Sequence, residues 1–188
     1  MAFSVNEFKS RLKFGGARST LFEVQITPPP GIPGVAAGLG DVPFMARASQ
    51  LPASTLGLIG IPYFGRAVKM AGDRTFAPWN VTIINDEDFK IRNSLEAWSN
   101  SINNMRGNLR LSGPSALSYK SNATIIQYGK TGNILRKYKF EGIYPAEIGD
   151  IGMSWADTDQ IEEFQVTFEY DYWTLDTGGT TGTIGNQG

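Results

Sequence analysis

The sequence predicts a mainly β chain: an antiparallel β-sandwich or barrel flanked by one α-helix. Three observations carry this. The 22 glycines and 10 prolines among 188 residues punctuate the chain into short segments. Several of those segments alternate apolar and polar residues with period two, the mark of half-buried strands. A single segment shows a sustained apolar stripe at helical spacing. A sheet sandwich or barrel with a helix packed outside buries all of these faces.

Residues 1–19 read as an N-terminal arm with a short helix. Ser4 and Glu7 have capping-box spacing, Val5, Phe8 and Leu12 follow at helical spacing, and Gly15-Gly16 ends the element. A helix this short is not stable alone. Its apolar face must therefore dock on its own domain or on a neighbouring subunit.

Residues 20–173 form the β domain. Residues 21–27 (LFEVQIT) alternate and predict a strand. Residues 28–43 follow as a Pro/Gly-rich loop, too long for a tight hairpin and of the kind that is functional or disordered more often than inert. Further strands are expected at 44–50, closed by Leu51-Pro52, at 63–70, and at 76–84 around Trp79, with Gly72-Asp73 marking a turn between the last two.

The helix is expected at about 86–106. Ile91, Leu95, Trp98, Ile102 and Met105 are spaced 4, 3, 4 and 3 and make one stripe. Asn85 is positioned to cap it, and Asp86, Glu87 and Asp88 place negative charge where the helix dipole favours it. Ile84 and Phe89 occupy hydrophobic-staple positions. This acidic cluster reads as capping rather than catalysis.

Residues 123–128 and 134–143 flank Lys130-Thr131-Gly132-Asn133, a hairpin signal, and 148–155 reads as a shorter strand. The last strand is expected over 163–173. Phe164, Val166, Phe168, Tyr170 and Tyr172 take one face, and Glu163, Gln165, Thr167, Glu169 and Asp171 the other. Eleven residues span about 36 Å, roughly twice the usual strand. So long a strand without edge protection invites pairing with another chain. Residues 174–188 form a Gly/Thr-rich tail expected to be flexible.

Composition narrows the chemistry. There is no cysteine and no histidine, which removes disulfides, thiolate nucleophiles, a Ser-His-Asp triad and His-based zinc sites. No P-loop, dinucleotide fingerprint or nucleophile elbow is present. Asp157, Asp159, Glu162 and Glu163 match no standard calcium loop and read as a solvated turn. No catalytic residue, cofactor or metal is expected. Trp79, Trp98, Trp155 and Trp173 read as core anchors. The apolar stretches fall short of the roughly 20 residues that span a bilayer, so no membrane insertion is expected and a cytosolic or virion setting fits.

Charge is unevenly placed. The chain is −1 in total, but residues 141–188 carry ten acids and no base, while residues 1–140 hold all seventeen bases with eight acids. The two parts, −10 and +9, either neutralise each other within a subunit or do so between neighbours.

One stretch is more specific. Ala71-Gly72-Asp73-Arg74-Thr75-Phe76, Trp79, Val81-Thr82 and Asn85-Asp86-Glu87 resemble the tail tube protein of contractile-tailed bacteriophages. Leu51-Pro52-Ala53, Trp98, Gly142-Ile143-Tyr144-Pro145, Phe164-Gln165-Val166-Thr167-Phe168 and Asp171-Tyr172-Trp173 agree, so the resemblance covers roughly residues 20–173. The 28–43 loop and the Gly/Thr tail depart from it and are expected as decoration on a tube exterior.

The resemblance implies hexameric rings stacked into a hollow tube, their strands joined into one inner barrel. It implies a surrounding sheath protein, a tape-measure protein inside, a baseplate tube initiator, a tail terminator, and DNA passing through without specific binding. It places the chain in the virion tail, assembled in the host cytoplasm. Type VI secretion tubes and other contractile injection machines share that fold. Asp73 and Arg74 are then candidate subunit-interface residues at a hairpin tip, against the alternative of an ordinary turn. Glu163, Glu169 and Asp171 are candidate lumen-facing residues, because a channel for DNA should not neutralise phosphates. Lys137 and Lys139 could instead pair with that face and cancel it. A tube subunit of another injection machine, a baseplate initiator, a glycan-binding β-sandwich and a carboxylate-pair hydrolase are the competing readings.

Overall fold

The computed structural model describes residues 4–12, 15–111, 113, 115–156 and 158–176. Four α-helices lie among them: α1 (Val5–Arg11), α2 (Val35–Leu39), α3 (Val42–Met45) and α4 (Lys90–Ile102). A short 3-10 helix (Ala116–Ser118) and nine strands complete the described elements: β1 (Phe22–Ile26), β2 (Ala46–Ser49), β3 (Ser54–Tyr63), β4 (Arg66–Phe76), β5 (Trp79–Ile84), β6 (Ser121–Tyr128), β7 (Ile134–Ile148), β8 (Glu163–Glu169) and β9 (Tyr172–Leu175).

All pairings are antiparallel, and β7 organises them. Its first half lies between β6 and β9, with β1 beyond β6. Its second half pairs with β8, followed by β5 and β2. Gly142 sits between the halves at φ +70°, a conformation only glycine adopts freely. The fifteen-residue strand bends there and belongs to two sheets. The Asp171 side chain fills the space a Cβ at Gly142 would need.

The core lies between these sheets. Trp79 stacks on Phe140 with ring centroids 4.3 Å apart and planes 20° from parallel. Phe168 and Tyr170 close around them. The Trp79 indole N–H donates to Ser49 Oγ and Gln50 O, both at 3.0 Å. Helix α4 adds buried Ile91, Leu95 and Trp98, as its stripe requires, and Trp98 donates to Tyr119 O at 2.7 Å.

Several expectations need correction. The 28–43 segment is no exterior decoration: α2 and the start of α3 lie in it, and Val35, Leu39 and Val42 are core residues. Gly38 lets α2 approach α4 so closely that an added Cβ would meet Ser94 Oγ and the Lys90 carbonyl. The 44–50 strand is only β2, because Phe44 and Met45 finish α3. Ala77-Pro78 interrupts the 76–84 strand, since proline cannot continue the ladder.

Helix α4 is shorter at both ends than expected. Phe89 takes a left-handed conformation (φ 51°) that breaks the helix from Asp86–Asp88. Asn85 does not cap; it bonds Glu162 instead. The Asp86 carboxylate accepts from Lys90 N at 3.3 Å. Met105 lies beyond the helix and is exposed.

The 148–155 strand does not form; β7 runs through to Ile148, and Trp155 is wholly exposed rather than a core anchor. The final strand is two strands. Between Tyr170 and Tyr172 the inward phase slips by one residue, so Trp173 turns in and Tyr172 out. The β9 strand also takes in Thr174 and Leu175 of the expected tail. Residues 177–188 of that tail and Asp157 lie outside the described residues.

Candidate assembly surfaces

The missed element is the most informative one. Strands β3 and β4 pair only with each other, in a two-stranded sheet apart from the body. Its turn is Phe64-Gly65, with Gly65 at φ +78°, not Gly72-Asp73. The register sets Ile59 opposite Met70, Ile61 opposite Val68, and Tyr63 opposite Arg66. Directly opposed residues share a face, so Ile59, Met70, Ile61, Val68 and Tyr63 form one apolar row, and all five are exposed. At the tip Phe64, 91% exposed, packs edge-on to Tyr63 with centroids 4.6 Å apart. A hairpin of ten and eleven residues with this face in water is marginal by itself.

Asp73 and Arg74 lie within β4, near the hairpin's base. The register slips there between Leu56 and Leu58, a bulge at which Gly57 and Gly72 come close. Arg74 donates from Nη1 to Ser54 Oγ at 2.8 Å, across the same hairpin. Asp73 has no ion pair among the described residues. The pair is exposed, but it is not at the tip.

The three carboxylates are held separately. Glu163 pairs with Arg47 on β2. Asp171 pairs with Lys120 at 2.6 Å. Glu169 is half-buried opposite Tyr144 and has no ion pair among the described residues. Lys137 and Lys139 pair with Asp176 and Glu141 at 3.1 and 2.6 Å. The Glu141 bond and charge hold the Lys139 ammonium above its ordinary range. Much of the charge split is therefore satisfied within one chain.

The outer face of β5 and β8 is polar. Register places Asn80 opposite Thr167 and Thr82 opposite Gln165, and the Thr167 hydroxyl donates to Asn80 Oδ1 at 2.9 Å. Glu147 lies opposite Thr167 on the neighbouring β7. Helix α1 forms as expected, with Ser4 Oγ accepting from Glu7 N at 3.2 Å. Its Val5, Phe8 and Leu12 remain exposed.

Among the described residues no group of three or more carboxylates could hold a metal ion. No helix of these residues is long and apolar enough to cross a membrane. Sequence reasoning missed the hairpin's apolar row; the signal was the density of Leu, Ile, Val and Met on both sides of Phe64-Gly65.

A β-sandwich that exposes a long apolar hairpin paired only with itself among the described residues has the character of a structural subunit that completes itself against other chains. Comparison with known proteins gives the family. Residues 17–176 match the phage tail tube protein family. The chain is 31% identical over 159 residues to tail tube protein gp19 of Enterobacteria phage T4, covering 84% of this chain and 90% of that protein. It is 25% identical over 168 residues to a tail tube protein of Serratia phage KSP90, covering 89% and 94%. The fold is shared with the tube-terminating cap of the anti-feeding prophage (TM-score 0.60, 16% identity, 86% of this chain and 91% of that one). It is shared equally with the sheath/tube terminator of an extracellular contractile injection system (TM-score 0.60, 14% identity, 85% and 96%). The chain belongs to the phage tail tube protein family. It is a structural subunit of the virion tail and not an enzyme, and the glycan-binding and hydrolase readings are not favoured.

Proposed function

We propose that six copies close into a ring, that rings stack into a hollow tube inside a contractile sheath, and that the viral DNA passes through the lumen. The carrying observation is the apolar row on β3–β4: a hairpin with this face gains stability by lying against a second copy. Asp73 and Arg74, at the hairpin's base, then lie beside the subunit junction. The neutral polar surface of Asn80, Thr82, Gln165 and Thr167, with Glu147 and Glu169 beside it, suits a channel lining. Such a surface neutralises few phosphates and so adds little affinity for DNA through counterion release. Glu163 and Asp171 enter that lining with their own cations, Arg47 and Lys120.

The remaining partners follow the same reading. A sheath protein lies outside, a tape-measure protein fills the lumen before ejection, and a baseplate initiator and a tail terminator bound the ends. Assembly takes place in the host cytoplasm. The neighbours sharing the fold include a tube-terminating cap and a sheath/tube terminator.

The test is negative-stain microscopy of the purified chain and of Ile61→Glu. The native chain forms hollow six-fold tubes or rings, and Ile61→Glu stays monomeric with an unchanged circular dichroism spectrum. Native protein that stays monomeric at every salt concentration overturns the reading.

A further inference from the structure

The hairpin tip and the loop before β8 carry opposite charge beside exposed apolar groups. Residues 149–162 join β7 to β8. Ile151, Met153 and Ile161 of this loop, with Gln160 and Glu162, line a surface cleft of about 530 Å³. Met153, Trp155 and Ile161 are exposed, the Trp155 side chain wholly so. The segment contains no base, and Asp150, Asp159 and Glu162 give it negative charge. Asp150 and Asp159 form no ion pair among the described residues.

The tip of β3–β4 has the opposite character. Phe64 projects beyond the turn, with Tyr63 beside it. Arg66 and Lys69 follow on β4, and neither forms an ion pair among the described residues. Aromatic and Arg groups flanked by complementary charge are the side chains that dominate binding at interfaces.

We propose that Phe64 of one copy seats in the 151–161 cleft of a second copy, with Arg66 and Lys69 facing that copy's Asp150, Asp159 and Glu162. The inference rests on the assembly reading above and names the receiving surface. The occupant is a second copy rather than another protein, because this chain supplies both an aromatic tip whose Arg66 and Lys69 form no ion pair among the described residues and an acidic apolar loop whose Asp150 and Asp159 form none there either, while Glu162 already accepts from Asn85. Such a contact is heterologous, tip to cleft, and repeats from copy to copy; heterologous contacts generate closed rings or open helical stacks.

The absence of cysteine makes the test clean. In the assembled Ala67→Cys/Met153→Cys variant, a short bismaleimide reagent gives a ladder of covalent oligomers on a denaturing gel. The Ala67→Cys/Thr131→Cys control gives none. Phe64→Ala and Arg66→Glu each raise the protein concentration needed for tubes by about tenfold or more, whereas Phe64→Trp leaves it close to native. Native protein that forms no tubes overturns the assembly reading itself. Native tubes without the 67–153 ladder, or Phe64→Ala tubes forming at the native concentration, overturn the tip-to-cleft contact alone. Among those outcomes is the case in which the cleft serves the sheath instead.

Discussion

Gly57 and Gly72 face each other across the long hairpin, closer than a side chain ordinarily allows. A Cβ on Gly72 would lie 3.1 Å from the Gly57 carbonyl carbon, and one on Gly57 would lie 3.1 Å from the Asp73 carbonyl oxygen. Gly72 is therefore a bulge residue that brings two backbones together, not the corner of a turn. Its neighbours Asp73 and Arg74 owe their places to this crossing.

Gly72→Val should separate assembly from folding. The hairpin contributes few residues to the core, so the melting temperature should move little. Its two strands would be forced apart at the base, re-aiming the apolar row. Sedimentation should show tube yield falling about tenfold or more, equivalent to about 1.4 kcal/mol in association. A variant that unfolds instead would place the bulge inside the cooperative core.

Gly38→Ala tests the contact of α2 with α4. Helix propensity alone favours alanine by about 1 kcal/mol. The added methyl would run into Ser94 Oγ and the Lys90 carbonyl, and such overpacking costs about 1–3 kcal/mol. The steric term should win, giving a net loss in urea titrations. Adding Ser94→Ala should restore only part of it, because the Lys90 carbonyl stays.

Trp79→Ala should cost about 3–5 kcal/mol, the usual range for a buried aromatic. It removes the stack on Phe140 and the bonds to Ser49 and Gln50 that fix the end of β2. Denaturant titration with an unchanged slope would confirm a loss of stability rather than of compactness.

A pH dependence follows from Tyr128, whose hydroxyl donates to Glu23 Oε2 at 2.6 Å. This bond, then one from Gln25, holds the Glu23 carboxyl below its ordinary 4.5 against the opposing effect of burial. A depressed carboxyl contributes stability above its unfolded value and loses it as pH falls through the folded one. Tyr128 is held above its ordinary 10.0, first by the Glu23 bond, then by burial and the Glu23 charge. Its contribution is present below 10.0 and is lost in alkali as pH rises through the folded value. Tyr128→Phe should be less stable at neutral pH by at most about 1 kcal/mol, since both groups stay partly hydrated. The gap should close as pH falls below 4.5. A gap independent of pH would assign the effect to packing.

What was legible in the sequence was local. Ser4 with Glu7, the Ile91–Leu95–Trp98 stripe, the loop at 130–133 and the Phe164–Val166–Phe168 alternation each carry their signal within a few residues, and all four formed. What was not legible depends on distant partners. Gly72 reads as a turn until Gly57 is seen opposite it. The slip near Asp171 falls where the Asp171 side chain lies against Gly142 of β7. Glu163 and Asp171 look like free acidic groups until Arg47 and Lys120, far away in sequence, come beside them. Val35, Leu39 and Val42 were hidden because Gly and Pro around them mark a loop, while the tertiary fold buries them. Asp73 and Arg74 read as a hairpin tip, but pairing of β4 with β3 puts them near the hairpin's base.

The most direct measurement is a cryo-electron microscopy map of the assembled, purified chain. The account predicts a hollow six-fold tube in which Ile59, Ile61, Val68 and Met70 of every copy are covered by a neighbouring copy. A tube in which those residues remain solvent-exposed, with contacts made elsewhere on the subunit, would contradict it.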